Sequence, residues 1–239
     1  MIDRLSVLLL LFLLTGCSET DDATTTPPVR IASAMRNVMW KGQLGATIRL
    51  DTIADRDGLY GLGPPTGLRG ELLINDGVSY LARVTSDTTM EVRQTYDVGA
   101  PFFVYSNVTD WQKSPLPDSV RSITDVEGYL AQAMAGVDVP FAFKLRGRVR
   151  QARIHVQNLA PGSTVSSPAE AHAGQVNYEL RDVEADIVGF YSRAHQGVFT
   201  HHDSYVHLHL ITADGEWMGH LDRVELGEVE LWLPGRAGG

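Results

Sequence analysis

The chain has 239 residues, and its 29 acidic side chains against 20 basic ones give a formal charge of −9. A net acidic chain without a basic stripe gives no support to nucleic-acid binding, and no nucleic acid is expected as a partner. The only cysteine is Cys17, which excludes an intrachain disulfide. No solenoid period is visible.

Residues 1–17 read as a processing signal. Arg4 supplies a short basic start, and Leu5 to Leu14 is an apolar run too short for a bilayer, which takes about 20 residues. The run ends in Leu14-Thr15-Gly16-Cys17, which resembles a bacterial lipoprotein signal with its lipobox. That resemblance implies cleavage before Cys17 and a membrane anchor of more than one acyl chain on it. Ser18 stands where an inner-membrane retention signal would usually carry Asp, so an outer-membrane lipoprotein facing the periplasm is expected. Residues 18–30, polar and acidic with Pro27 and Pro28, read as a disordered tether. About 210 residues remain, enough for one large domain or two small ones.

In the first half, Ile31 to Leu50 ends in a strand, and a short helix is expected near Asp51 to Arg56. Gly58 to Gly70 is loop, broken by Gly61, Gly63, Pro64, Pro65 and Gly67. Glu71 to Ile74, the Asn75-Asp76-Gly77 turn and Val78 to Val84 read as a hairpin. Pro101 to Tyr105 is an apolar, buried strand. Thr124-Asp125-Val126-Glu127 fits a capping box, opening a helix with Val126, Leu130, Ala133 and Val137 on its buried side. That helix ends near Gly136, and the division between residues 31–138 and 139–239 is placed there.

The second half reads as strand at Pro140 to Leu145, Val149 to Val156, Val176 to Leu180, Ala185 to Tyr191 and Glu228 to Leu233, with a short helix after Pro168. Few helices and many strands predict an α+β class, two β-rich domains with mixed sheets. All eight histidines fall between His155 and His220. In Tyr205 to Asp222, Val206, Leu208 and Leu210 alternate with His207 and His209, and Asp214-Gly215 is a two-residue hairpin signal. That loop would set His209 opposite His220 and His207 opposite Asp222, with opposed Cβ atoms roughly 5 Å apart. Three imidazoles then converge on one face, the three-ligand arrangement of a catalytic zinc site. Zn2+ on His207, His209 and His220 is the expected cofactor.

These residues resemble the α-acetolactate decarboxylases over most of the chain, from about Met39 to Pro234. The hairpin resembles that family's HLHF…GGH segment, with His207, His209 and His220 at its ligand positions. Gly61-Leu62-Gly63 and Gly70-Glu71-Leu72 resemble its GLGT…GEL segment. Gln175 with Asp186 to Phe190 resembles its Q…GTIVGF strand, and Ala100-Pro101-Phe102 its TPFA. The resemblance implies two related α/β-type domains and a zinc-dependent carboxy-lyase. Its substrate would be a small 2-hydroxy-3-oxo acid such as 2-acetolactate, which gives acetoin and CO2. Glu71 takes the general-acid role under this resemblance.

Several positions depart from the family pattern. Where the family carries a substrate-binding arginine this chain has His155, with Arg153 on the same strand face as the alternative; an imidazole and a guanidinium fork bind a carboxylate differently. Pro64 replaces the threonine of GLGT, and Val156-Gln157-Asn158 replaces RSVP. The family's essential glutamate lies beyond its last strand; here Glu225, Glu228 and Glu230 are the nearest acidic candidates before Gly239. A non-catalytic or altered-specificity metal-containing binding lipoprotein is the alternative to an enzyme, and a homodimer is left open.

Overall fold

The computed structural model describes residues 26–235. The leader, Cys17, the first part of the tether and residues 236–239 lie outside the described residues. In chain order the elements are β1 (Arg30–Ala32), α1 (Met35–Lys41), β2 (Ile48–Arg49), a 3-10 turn (Leu50–Thr52), β3 (Leu59–Gly63), β4 (Glu71–Asn75), β5 (Val78–Ser86), β6 (Thr89–Gln94), β7 (Gly99–Ala100), β8 (Phe103–Asn107) and β9 (Trp111–Ser114). Then follow α2 (Ile123–Ala133), β10 (Phe141–Val156), α3 (Pro168–Ala171), β11 (Val176–Tyr191), β12 (Val206–Thr212) and β13 (Met218–Pro234). Strands dominate and helices are few, which is the α+β class.

The strands form two main sheets. The first has the order β1-β8-β3-β4-β5-β6 and the second β10-β11-β12-β13-β9, with β2 and β7 making a small ladder apart. In the second sheet β10 also pairs with β13, so β10, β11, β12 and β13 close on themselves and leave no free edge between them. Every ladder between these strands is antiparallel, where mixed sheets were expected. Short hairpins supply most connections, and parallel pairing needs a crossover of a dozen or more residues. The division at residue 138 leaves β9 on the other side of it, since Trp111–Ser114 pairs with β13.

Local chemistry explains the main turns and bends. Asp76 and Gly77 both have positive φ, 50° and 75°, as a two-residue turn between β4 and β5 requires. Pro140 to Leu145 and Val149 to Val156, read as separate strands, are one strand bent at Gly147. There φ is 139° and a Cβ would lie 2.3 Å from the Glu228 carbonyl oxygen. The β11 segments are likewise joined, with Asp182 at φ 52° in between. The capping box belongs to Ser122 and Asp125, not to Thr124 and Glu127. Ser122 Oγ accepts from the Asp125 N–H, and Asp125 Oδ2 accepts from the Ser122 N–H. Glu127 instead accepts from Ser204 Oγ at 2.9 Å. Packing begins inside the expected tether: Ser106 Oγ donates to the Pro28 carbonyl and Thr26 is buried.

One apolar core runs through both sheets, joining Leu62, Leu73 and Val104 to Phe143, Ile154 and Leu208. The other face of the first sheet buries Leu72, Ile74 and Phe103 against Leu50. Because β4 is covered on both faces it is apolar almost throughout, and its one acidic residue, Glu71, stands out. A third cluster, with Met35, Val38, Leu68 and Phe102, packs α1 against α3 above the ends of the sheets.

Candidate metal centre

Two adjacent ladders assemble a row of imidazoles. His209 on β12 lies directly opposite His220 on β13, and His220 lies directly opposite His155 on β10. His207 completes the group diagonally, its Nε2 3.2 Å from His220 Nδ1. One ligand atom from each of His207, His209 and His220 lies within 4.8 Å of the others, and all three side chains are buried. The hairpin register is the one the sequence predicts, although the loop is longer. Thr212 N–H bonds to the Trp217 carbonyl, and Ala213 N–H bonds across to Glu184. The loop grew equally on both sides, so the pairing of the histidines did not move.

Burial sets the protonation of this trio. Loss of hydration holds His207 and His220 well below the ordinary imidazole value and brings His209 down to about 3, with neighbouring imidazoles adding to the effect. Neutral imidazole is the form that ligates a metal. The Phe199 and Leu72 backbones interact with the His207 and His209 rings, and among the described residues at least one ring nitrogen of His209 is buried without a hydrogen-bond partner. In a neutral imidazole one nitrogen carries a lone pair, and burying it is costly unless something accepts that pair. A divalent cation does so, and zinc fits this donor set.

Glu71 reaches the row from the first sheet. The segment after β10 runs against residues 68–71: Leu159 N–H bonds to the Leu68 carbonyl, Arg69 bridges Asn158, and Gln157 N–H donates to Glu71 Oε1 at 3.3 Å. Gly70, at φ 134°, is needed for the close packing on β5, where a Cβ would lie only 2.3 Å from the Ala82 carbonyl oxygen. Glu71 Oε2 is 3.6 Å from His209 Nε2, and Oε1 is 3.9 Å from His155 Nε2. Burial pushes the Glu71 carboxyl well above its usual range, the Gln157 N–H offsets part of this, and the Asp222 charge adds to it. In the metal-free site burial therefore favours its neutral, proton-carrying form.

The structure brings Glu71, His155, His207, His209 and His220 together and leaves Arg153 out. Arg153 Nε donates to Glu179 Oε1 at 2.5 Å on a half-exposed stretch of β10. Strand parity alone could not separate Arg153 from His155, because the two share a strand face and differ in burial, which parity does not give. Glu225 and Glu230 pair with Arg150 and Lys113 at the surface, away from the histidines. Residues not singled out as site residues also join. Asp222 Oδ1 is 2.8 Å from His155 Nδ1, and Gln157, His172 and His201 line the same cavity. Its volume is ≈ 20 Å3, about the room for one water, beneath Met35 and Met39 of α1. The confinement of all eight histidines to one stretch was the available signal for His172 and His201.

Two sheets that hold a buried three-histidine centre, with a buried carboxyl delivered beside it, define an α+β protein with a metal-capable, enzyme-like site. Residues 32–234 match the family model for alpha-acetolactate decarboxylase, and the chain belongs to that family. The alpha-acetolactate decarboxylase of Streptococcus thermophilus is 25% identical over 195 residues, covering 80% of this chain and 78% of that one. The structure of the Bacillus subtilis strain 168 alpha-acetolactate decarboxylase matches with a TM-score of 0.70 at 21% identity, over 87% of this chain and 85% of the other. A Staphylococcus aureus protein of unknown function, similar to alpha-acetolactate decarboxylase, matches with a TM-score of 0.70 at 19% identity, over 85% and 84%. These two structures share the fold with this chain.

Proposed function

We propose that the protein is a zinc-dependent decarboxylase acting on a small 2-hydroxy-3-oxo acid such as 2-acetolactate, with acetoin and CO2 as products. The observation that carries this reading is the placement of Glu71, a buried carboxyl 3.6 Å from His209 and beside the histidine trio. When CO2 leaves a β-keto acid, the electron pair of the broken C–C bond must be taken up and the carbon protonated. Zinc, held by His207, His209 and His220, would supply the positive charge that polarises the keto group. Glu71 supplies the proton. Its Oε1 is engaged by the Gln157 N–H, which leaves Oε2 to carry the hydrogen toward the centre. Met35, Met39 and Phe102 give the cavity an apolar wall, and a low local dielectric strengthens each of these electrostatic effects.

A second reading, a metal-containing binding protein without turnover, is favoured by one observation: among the described residues no lysine or arginine lines the cavity. A substrate carboxylate would then find its only permanent cation in the metal. The deciding experiment is incubation of the zinc-loaded protein with racemic acetolactate while acetoin is followed. Zinc-dependent acetoin formation is the expected result. Its absence, with zinc bound and the fold intact, moves the protein to the second reading.

A further inference from the structure

We propose that Asp222 is a positioning residue that fixes His155 as its Nδ1–H tautomer and turns the bare Nε2 inward as the acceptor for a substrate hydroxyl. The role of the hydroxyl rests on the hydroxy-acid reading above; the tautomer does not.

The argument begins with donor and acceptor types. His155 Nδ1 is 2.8 Å from Asp222 Oδ1, and a carboxylate there only accepts, so in a neutral ring the proton sits on Nδ1. The other side of the ring agrees. His155 Nε2 lies 3.5 Å from Gln157 Nε2, an amide nitrogen that only donates. Turning that amide over would set its oxygen against the lone pair on Nε2, so Asp222 also fixes the amide orientation. Nε2 therefore faces Gln157 and, at 3.9 Å, Glu71, both on the cavity wall. The same Asp222 oxygen stands 4.0 Å from His220 Nε2, so one carboxylate lies behind His155 and behind a residue of the metal trio. Carboxylates placed behind histidines in this way set ring orientation and tautomer.

The consequence concerns specificity. An arginine at this place would donate only and would take a carboxylate. His155 held by Asp222 instead presents an acceptor, which selects a ligand with a hydroxyl to give. Substrates are then distinguished by their hydroxyl at His155.

The test uses the zinc-loaded full chain with 15N-labelled histidine. Long-range proton–nitrogen correlation should show the Nδ1–H form for His155, assigned by its loss in His155→Gln. Asp222→Asn, whose amide can donate where the carboxylate accepted, should move His155 to Nε2–H. At equal zinc content it should also cut the preference for 2-hydroxyisobutyrate over isobutyrate by up to ~10-fold, the scale of one hydrogen bond. Asp222→Glu should restore both. An Nε2–H ring in the wild type, an unchanged tautomer in Asp222→Asn, or an unchanged preference beside a changed tautomer would each overturn the proposal. So would a second zinc ion bound at His155, His220 and Asp222, a grouping whose spacing also suits a cation. None of these measurements needs turnover, so a failure to form acetoin would sink the decarboxylase reading alone.

Discussion

Glu71 Oε2 stands 3.6 Å from His209 Nε2, and this contact joins the first sheet to the second at the centre of the site. Glu71→Gln keeps the shape and the acceptor for the Gln157 N–H while removing the acid. Acetoin formation should fall by about 10²–10⁴-fold, the usual contribution of a positioned general acid. Zinc content should stay at the wild-type level, because the histidine trio is untouched. Acetoin formation that continues undiminished in Glu71→Gln would remove the role assigned to it.

What could be read from the sequence was local. Alternation in Val206 to Leu210 and the Asp214-Gly215 signal sufficed to place His209 against His220, because register in a hairpin depends on residues close in the chain. The Asp76-Gly77 turn was legible for the same reason. His155 is different: its place beside His220 depends on the long β10–β13 ladder, which closes the second sheet and leaves no local signature. Gly147 and the register shifts after it interrupt β10, and Arg181-Asp182 with Asp182 in the left-handed region interrupts β11, so the alternation fails and each strand read as two. Helix α1 was missed because Ala34 gives no side-chain cap and the helix is only seven residues long. Its end is marked by Gly42 in the left-handed region, a signal easily lost beside Gly45. The helix matters to function, since Met35 and Met39 cover the cavity.

The metal trio can be tested apart from catalysis. Free zinc at ~1,000 times its dissociation constant should stabilise the wild-type protein by about 4 kcal/mol. His207→Ala/His209→Ala should bind no zinc at this centre and show no zinc-dependent rise in its melting temperature. A metal-to-protein ratio unchanged in that double variant would place the metal elsewhere.

Arg153 offers a contrast within the same strand. Its pairing with Glu179 is half-exposed, and such pairs contribute ~0–1 kcal/mol. Arg153→Ala should therefore leave both stability and the kinetics of acetoin formation nearly unchanged. A tenfold fall in kcat/KM would return Arg153 to the site.

The Leu14 to Cys17 run leads us to propose a lipid anchor in the outer membrane. Cys17→Ser should move the protein from the membrane to the soluble periplasmic fraction, or leave unprocessed precursor behind. Among the described residues no helix is long and apolar enough to cross a membrane. Mature protein that stays membrane-bound in Cys17→Ser would count against acylation at this residue.

The metal-free protein should lose stability as pH falls below about 6.5, the ordinary imidazole value. Burial holds His207, His209 and His220 below that value in the native state. Their contribution is therefore present above the unfolded pKa and is lost as pH falls toward the native one. In that window the unfolded chain takes up protons that the native chain refuses, at about 1.4 kcal/mol per pH unit for each imidazole. Glu71 acts in the opposite sense. Its native pKa is raised, so its contribution is largest below about 4.3 and declines as pH rises toward the native value. Three imidazoles against one carboxyl leave a net slope equivalent to about two protons, or ~3 kcal/mol per pH unit at most. Denaturant unfolding of the metal-free protein at pH 7.5 and at pH 5.5 should show a clearly lower midpoint at the acid value. His209→Phe, which removes one of the three titrating groups, should flatten that dependence. Equal midpoints in the wild type at the two pH values would mean that the trio is already hydrated and charged in the native state, contrary to its burial.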